Sequence, residues 1–375
     1  MSVLSAELSS ALDQIIQTII SPQALETDRE GRFPRAAMQA LGEAGLLGLV
    51  SATSVGGVGA GLAQASEVVR LIARHCSSSA MVVCMHYCAA TVLENLGGPQ
   101  AVREAIAQGK HLSTLAFSEA ESRSHFWAPV SMARADGGQV RLDARKSWVT
   151  SAAEADSYVW SSKPLSTEGA STLWLVDAKA EGLQVACAFD GLGLRGNASS
   201  PITAVGVVPE CQLGEDGKGF DTMMSVVLPW FVTLNASCSV GLMDGALERA
   251  IGHVSQTRHQ HLGSSLADLP TIRAYLARAR IRTDLTQALL ADTLAAMAAG
   301  RDDTMLRVLE LKAAAAEGAL EVTDLAMRVC GGAAFRKEAG IERSFRDARA
   351  ANVMAPTSDV LYDFIGKAIC GLPLF

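Results

Sequence analysis

A chain of 375 residues, 49% apolar and 19% charged, has the composition of a folded protein with a sizeable core, which excludes a disordered chain. Its formal net charge of −7 leaves no basic footprint, so neither nucleic acid nor an anionic membrane is an expected partner. The length admits two or three domains.

Residues 1–111 read as helices. "SSALDQIIQTII" sets Leu12, Ile15, Ile16 and Ile19 on one face, and "FPRAAMQALGEAGLLGL" and "AQASEVVRLIARHC" repeat the spacing. The first residues lack a basic segment followed by a continuous apolar core, so no signal peptide is expected. The apolar run "AMVVCMHYCAATVL" is too short and too polar to span a bilayer. Over 112–215 the pattern changes to short runs rich in Val, Leu, Trp and Thr ("QVRLDARKSWVTS", "DSYVWSSK", "STLWLVDA", "ITAVGVVPE"), broken by turn signals such as Asp136-Gly137-Gly138. That spacing predicts an antiparallel β-domain. From 216 to 375 helical periodicity returns in long Ala/Leu stretches with few breakers, which predicts a helical bundle. The fold class is α+β.

The eight cysteines form no CxxC pair and no His/Cys cluster of zinc spacing, so no metal is expected and a reducing cytoplasm is the expected compartment. Cys84 and Cys88, one helical turn apart, read as small buried residues.

Six segments, in order along nearly the whole chain, resemble the acyl-CoA dehydrogenase superfamily. They are "LAFSEAESRSH" (115–125), "ARKSWVTSA" (144–152), "LGLRGNASSPITAVGVVPECQLGEDGKGF" (192–220), "TRHQHLGSSLADLPTIRAYLA" (257–277), "VCGGAAF" (329–335) and "SFRDARAANVMAPTS" (344–358). The resemblance implies an N-terminal helical domain, a middle antiparallel β-barrel or sandwich and a C-terminal four-helix bundle, with FAD as cofactor. It implies that Trp148 packs on the flavin ring and that Thr150 bonds near its reactive nitrogen. If both lie on one strand two residues apart, they share a face. Ser118 and Ser124 stand where the family's first loop meets flavin and substrate. Arg258 resembles an arginine that reaches a neighbouring subunit's FAD, which implies a homodimer or homotetramer. Arg328, Gly331, Gly332, Thr357 and Asp359 fall at the adenine-diphosphate end.

Two departures matter. The first loop, usually Gly-rich, here carries Glu121, Ser122, Arg123 and His125, which puts bulk and charge at the substrate entrance. Glu119 in that loop reads as structural. The family's catalytic carboxylate, which removes the α-proton while hydride leaves for the flavin, is replaced by Ala355; the alternative base position, in "VVLPWFVTL", also holds no acid. His86 and His125 are the candidate replacements, since imidazole is a ready base near neutral pH. Tyr87, Arg123, Trp230 and Phe231 are candidate substrate contacts. Three functions compete. One is an FAD-dependent oxidoreductase acting on an acyl thioester or related small molecule, with an electron-transfer or reductase partner. The second is a flavin-dependent monooxygenase on the same fold, where no α-proton is removed. The third is a catalytically silent flavoprotein.

Overall fold

The computed structural model describes residues 3–123, 125–261 and 263–374. The chain begins with the helix Ala6–Ile15, which runs through a π-type turn at Ile16–Ile20 into Ser21–Glu30. Ser5 caps its start by accepting the Leu8 N–H at 3.3 Å, and Gly31, at φ 62°, ends it in the left-handed conformation. Leu12, Ile15, Ile16 and Ile20 are buried. Helices Arg35–Glu43, Leu62–Ala73, Ser77–Asn95 and Gln100–Ala107 complete this part.

The middle of the chain forms eight strands: β1 Ser113–Ala116, β2 Met132–Asp136, β3 Gln139–Val149, β4 Ser157–Ser162, β5 Thr172–Asp177, β6 Leu183–Val185, β7 Ser200–Val207 and β8 Cys211–Leu213. They make two four-stranded sheets, ordered β1-β4-β5-β8 and β2-β3-β7-β6. Tyr158, Trp160 and Trp174 project between the sheets with Leu142, Ile202 and Val207. The alternate residues Val159, Leu173 and Leu175 face the other way, into the core shared with the helices. Thus β4 and most of β5 are buried on both faces, which is why they read as continuous apolar runs. The expected all-antiparallel domain needs one correction: β1 pairs with β4 in parallel, Ser113 opposite Ser157. A parallel neighbour requires a long crossover. Here it is the loop after β1 together with the β2–β3 hairpin, which belongs to the other sheet.

Three long helices, Leu228–Gln256, Pro270–Ala299 and Thr304–Cys330, and a shorter fourth, Ser358–Ile369, form the C-terminal bundle. A small hairpin, β9 Arg258–His259 with β10 Ser264–Ser265, joins the first two long helices. The helix Leu228–Gln256 lies tightly on Leu62–Ala73 of the N-terminal part. A Cβ at Gly241 would stand 2.0 Å from the Arg70 carbonyl oxygen, so only glycine permits that approach. The stretch Gly219–Gln256 is long and apolar enough to cross a membrane, with mean hydropathy 1.6, but 78% of its most apolar window is buried against other elements. That is the pattern of a core helix.

Candidate active site

The three parts of the chain meet around a small open cleft. The N-terminal helices contribute Met85, and the end of β1 with its following loop contributes Leu115, Phe117, Ser118 and Phe126. Strand β3 supplies Ser147 and Trp148, and the C-terminal part closes the cleft with Val227, Phe231 and Ala355. No residue lining the cleft, among those described, is titratable.

The β-domain wall is shaped by a bulge. Between Lys146, opposite Ile202, and Val149, opposite Ser200, strand β3 holds one residue more than β7. Trp148 takes up the excess at φ 56°, and its indole is left 71% exposed, edge-on to Phe189 at 6.4 Å. A bulky side chain at positive φ is uncommon and costs backbone strain, and bulges re-aim side chains beside sites. The expectation that Trp148 and Thr150 share a strand face is therefore corrected. The strand ends at Val149, and Thr150 is buried with its hydroxyl 3.1 Å from that of Ser199.

Beneath the bulge, Lys146 is fully buried and donates to Glu119 Oε1 at 2.5 Å and to the Ser161 carbonyl at 2.7 Å. The Glu119 carboxylate also accepts the Val130 and Ser131 N–H groups, at 2.8 and 3.0 Å. One carboxylate thus closes the base of the loop 119–131, and the Ser147 N–H bonds the Ser118 carbonyl at 2.8 Å to hold it against β3. Burial pushes the Lys146 amine down to about 8, against the pull of Glu119. Burial also works to raise the Glu119 carboxyl, but the Lys146 charge and these donors prevail and lower it.

The candidate bases are placed otherwise than expected. His86 is fully buried, with Nε2 3.1 Å from the Leu47 carbonyl and Nδ1 accepting the Ser113 N–H at 3.1 Å. Both ring nitrogens are used and the cleft is lined by Met85, one residue earlier, so His86 is a core histidine and not a base. Burial pushes its imidazole down to about 4. Tyr87 likewise donates to the Leu46 carbonyl at 2.6 Å inside the core, away from the cleft. His125 opens onto a separate surface groove with Trp127, Asp359, Asp363 and Lys367. Arg123 is exposed and Trp230 half-buried, and neither lines the cleft; Phe231 does.

Of the cofactor candidates, Ser118 and Trp148 line the cleft. Ser124 lies outside the described residues. Arg258 is exposed on the β9–β10 hairpin, and Arg328 is exposed with its guanidinium 4.6 Å from the Tyr275 ring centroid. Gly331, at φ 55° and ψ −138°, ends the helix Thr304–Cys330 with open space where a Cβ would be, and Gly332 is similarly open. Thr357 is the N-cap residue of the last helix, two residues beyond Ala355 of the cleft lining, and Asp359 lies in its first turn. Sequence reasoning missed Met85, Phe117 and Phe126 in the lining, and two buried ammonium groups, Lys146 and Lys312. For Lys312 a signal existed: it stands at helical spacing from Val308 and Ala316 on an otherwise apolar face.

Three family models match in succession: acyl-CoA dehydrogenase N-terminal domain over residues 5–108, middle domain over 114–207 and C-terminal domain over 217–370. The chain belongs to the acyl-CoA dehydrogenase family. It is 25% identical over 374 residues to a probable acyl-CoA dehydrogenase of Mycobacterium tuberculosis, covering 97% of this chain and 94% of the relative. It is 28% identical over 350 residues to the mitochondrial short-chain specific acyl-CoA dehydrogenase of Bos taurus, covering 90% and 83%. The structure of butyryl-CoA dehydrogenase from Megasphaera elsdenii superposes with a TM-score of 0.88 at 20% identity, covering 98% of this chain and 99% of that one. Family members are FAD-dependent oxidoreductases, and FAD is the cofactor here. The residues present fit it. An exposed indole held at a strained position over an apolar cleft, with Ser118 and Ser147 also in the lining, is a surface for a planar ring with polar edges.

Proposed function

We propose that this member of the family oxidises an acyl thioester with an apolar arm, or a related small molecule, without a proton-accepting side chain in its cleft. The observation that carries this is the lining: eight apolar residues, two serines and no titratable group among the described residues. FAD, when bound, supplies the hydride acceptor. The chain's own residues bind and orient. Trp148 offers a flat face to the ring, Ser118 and Ser147 offer hydroxyls to polar edges, and Phe117, Phe126 and Phe231 keep water from the reacting end. A proton leaving the substrate passes to a group that the substrate itself carries, which favours substrates whose C–H is acidified by their own substituents. Electrons then leave to a partner protein or to O2. The exposed Arg258 supports an assembly of two or four copies in which it reaches a neighbour's FAD.

The same lining favours a second reading, a flavin-dependent monooxygenase, because inserting oxygen needs no α-proton acceptor. An anaerobic visible spectrum separates the two. If one of a panel of acyl-CoA thioesters bleaches the oxidised flavin band, and an external acceptor restores it, the enzyme is a dehydrogenase. If none bleaches it, and reduced protein exposed to 18O2 yields product carrying the label, it is a monooxygenase. A flavin band that responds to no thioester, with no labelled product, overturns both.

A further inference from the structure

Ala355, the one residue of the segment 349–358 that lines the cleft, shares the C-terminal side of the lining with Val227 and Phe231. Between Val353 and Ser358 the chain forms no helix or strand, so its path is imposed from outside. The helix Thr304–Cys330 imposes it. Lys312, fully buried on that helix, directs its Nζ to three backbone carbonyls: Ala351 at 3.0 Å, Met354 at 3.0 Å and Pro356 at 2.7 Å. An ammonium has three protons, and all are used. The Met354 and Pro356 carbonyls lie on either side of Ala355, so the charge brackets the residue that faces the cleft.

Two further contacts hold the same segment. Glu317, on the same helix, accepts the Asn352 amide at 2.7 Å, and that amide lies 3.2 Å from the Ser358 hydroxyl. From the helix Leu228–Gln256, the Asn235 amide reaches the Met354 sulfur at 3.2 Å. Packing alone does not account for Lys312. Its helix neighbours Val308, Leu309, Leu311, Ala315 and Ala316 are buried and apolar, and a methionine fills similar volume. The chain instead keeps a buried charge that no carboxylate pairs with among the described residues, a costly choice unless its hydrogen bonds do something an apolar residue cannot.

We propose that Lys312 is a positioning residue for the cleft: its ammonium fixes the path of residues 351–356 and so sets where the wall at Ala355 stands relative to bound substrate. This rests on the reading of the cleft as the substrate site. The test uses full-length, FAD-loaded protein. In the wild type, amide hydrogen exchange in peptides spanning 349–358 is slow, comparable with the flanking helices; free exchange there overturns the tether outright. In Lys312→Met, flavin content and far-UV signal stay at wild-type values while exchange over 349–358 rises at least tenfold. Butyryl-CoA, used as a probe that perturbs the flavin band, then binds about tenfold more weakly. Lys312→Gln, which keeps two donors, falls between and covers the case in which the methionine variant does not fold. Unchanged exchange, or increased exchange with unchanged probe affinity, shows Lys312 to be structural only. If butyryl-CoA and longer thioesters leave even the wild-type flavin band unmoved, the substrate reading fails, while the exchange data still judge the tether.

Discussion

Two lysines, both fully buried, each tie a loop to the rim of the same cleft, and they are neutralised by different means. Lys146 under the β-domain wall has a carboxylate, Glu119, within 2.5 Å. Lys312 under the C-terminal wall has only carbonyl dipoles. The first arrangement locks a loop with matched charges, so removing either partner strands the other. The second leaves a single charge whose protonation is set by burial, which pushes its amine down to about 7. The β-domain wall is therefore expected to be the more rigid, and the C-terminal wall the more adjustable.

The largest expected effect comes from breaking the matched pair. Glu119→Ala leaves Lys146 buried and unpaired and is expected to cost about 3–5 kcal/mol, read by chemical denaturation. Combining it with Lys146→Met should restore most of that loss, and a double variant no better than the single would mean that the pair is not the loop's anchor. On the opposite wall, Ala355→Glu introduces the carboxylate that the cleft lacks. It should speed flavin bleaching by butyryl-CoA by about 10²-fold or more, measured by anaerobic stopped flow. An unchanged rate would show that proton removal is not what limits this cleft.

The pH response sharpens the contrast further. The Lys312 amine is lowered in the folded state from its usual 10.5 to about 7, so between those values the unfolded chain binds more protons. Folding stability from this group thus rises as pH increases from 7 towards 10, and the burial penalty is fully present below 7. The stability gap between wild type and Lys312→Met is expected to shift in the wild type's favour by about 2–3 kcal/mol from pH 6 to pH 9. A gap constant across that range would place the titration elsewhere. The smallest stability effect belongs to Trp148→Ala. An indole so exposed contributes little to folding, so the change is expected to stay within about 0.5 kcal/mol, while FAD retention on gel filtration drops.

How far the sequence alone reached differs between elements for identifiable reasons. The amphipathic first helix was legible because polar residues mark its outer face around Leu12, Ile15 and Ile16. Helix Ser77–Asn95 is buried nearly all round, so no periodicity says which side faces the cleft. A rotation of one residue made Met85, and not His86, the lining group. The Trp148 motif was visible, but the bulge that turns its indole outward depends on the register of β7, some fifty residues later. The parallel pairing of β1 with β4 is likewise a long-range choice.

The sequence by itself determined the succession of helical, β and helical parts, the family, the cofactor and the absence of a carboxylate at position 355. These rest on local periodicity and on motifs that lie in continuous stretches. Only the tertiary structure decided that no titratable group lines the cleft among the described residues, that both nitrogens of His86 serve the backbone, and that Lys312 bonds three carbonyls around Ala355. Each of those joins groups from separate segments, and whether a buried polar atom is satisfied depends on partners that packing alone brings within hydrogen-bond reach.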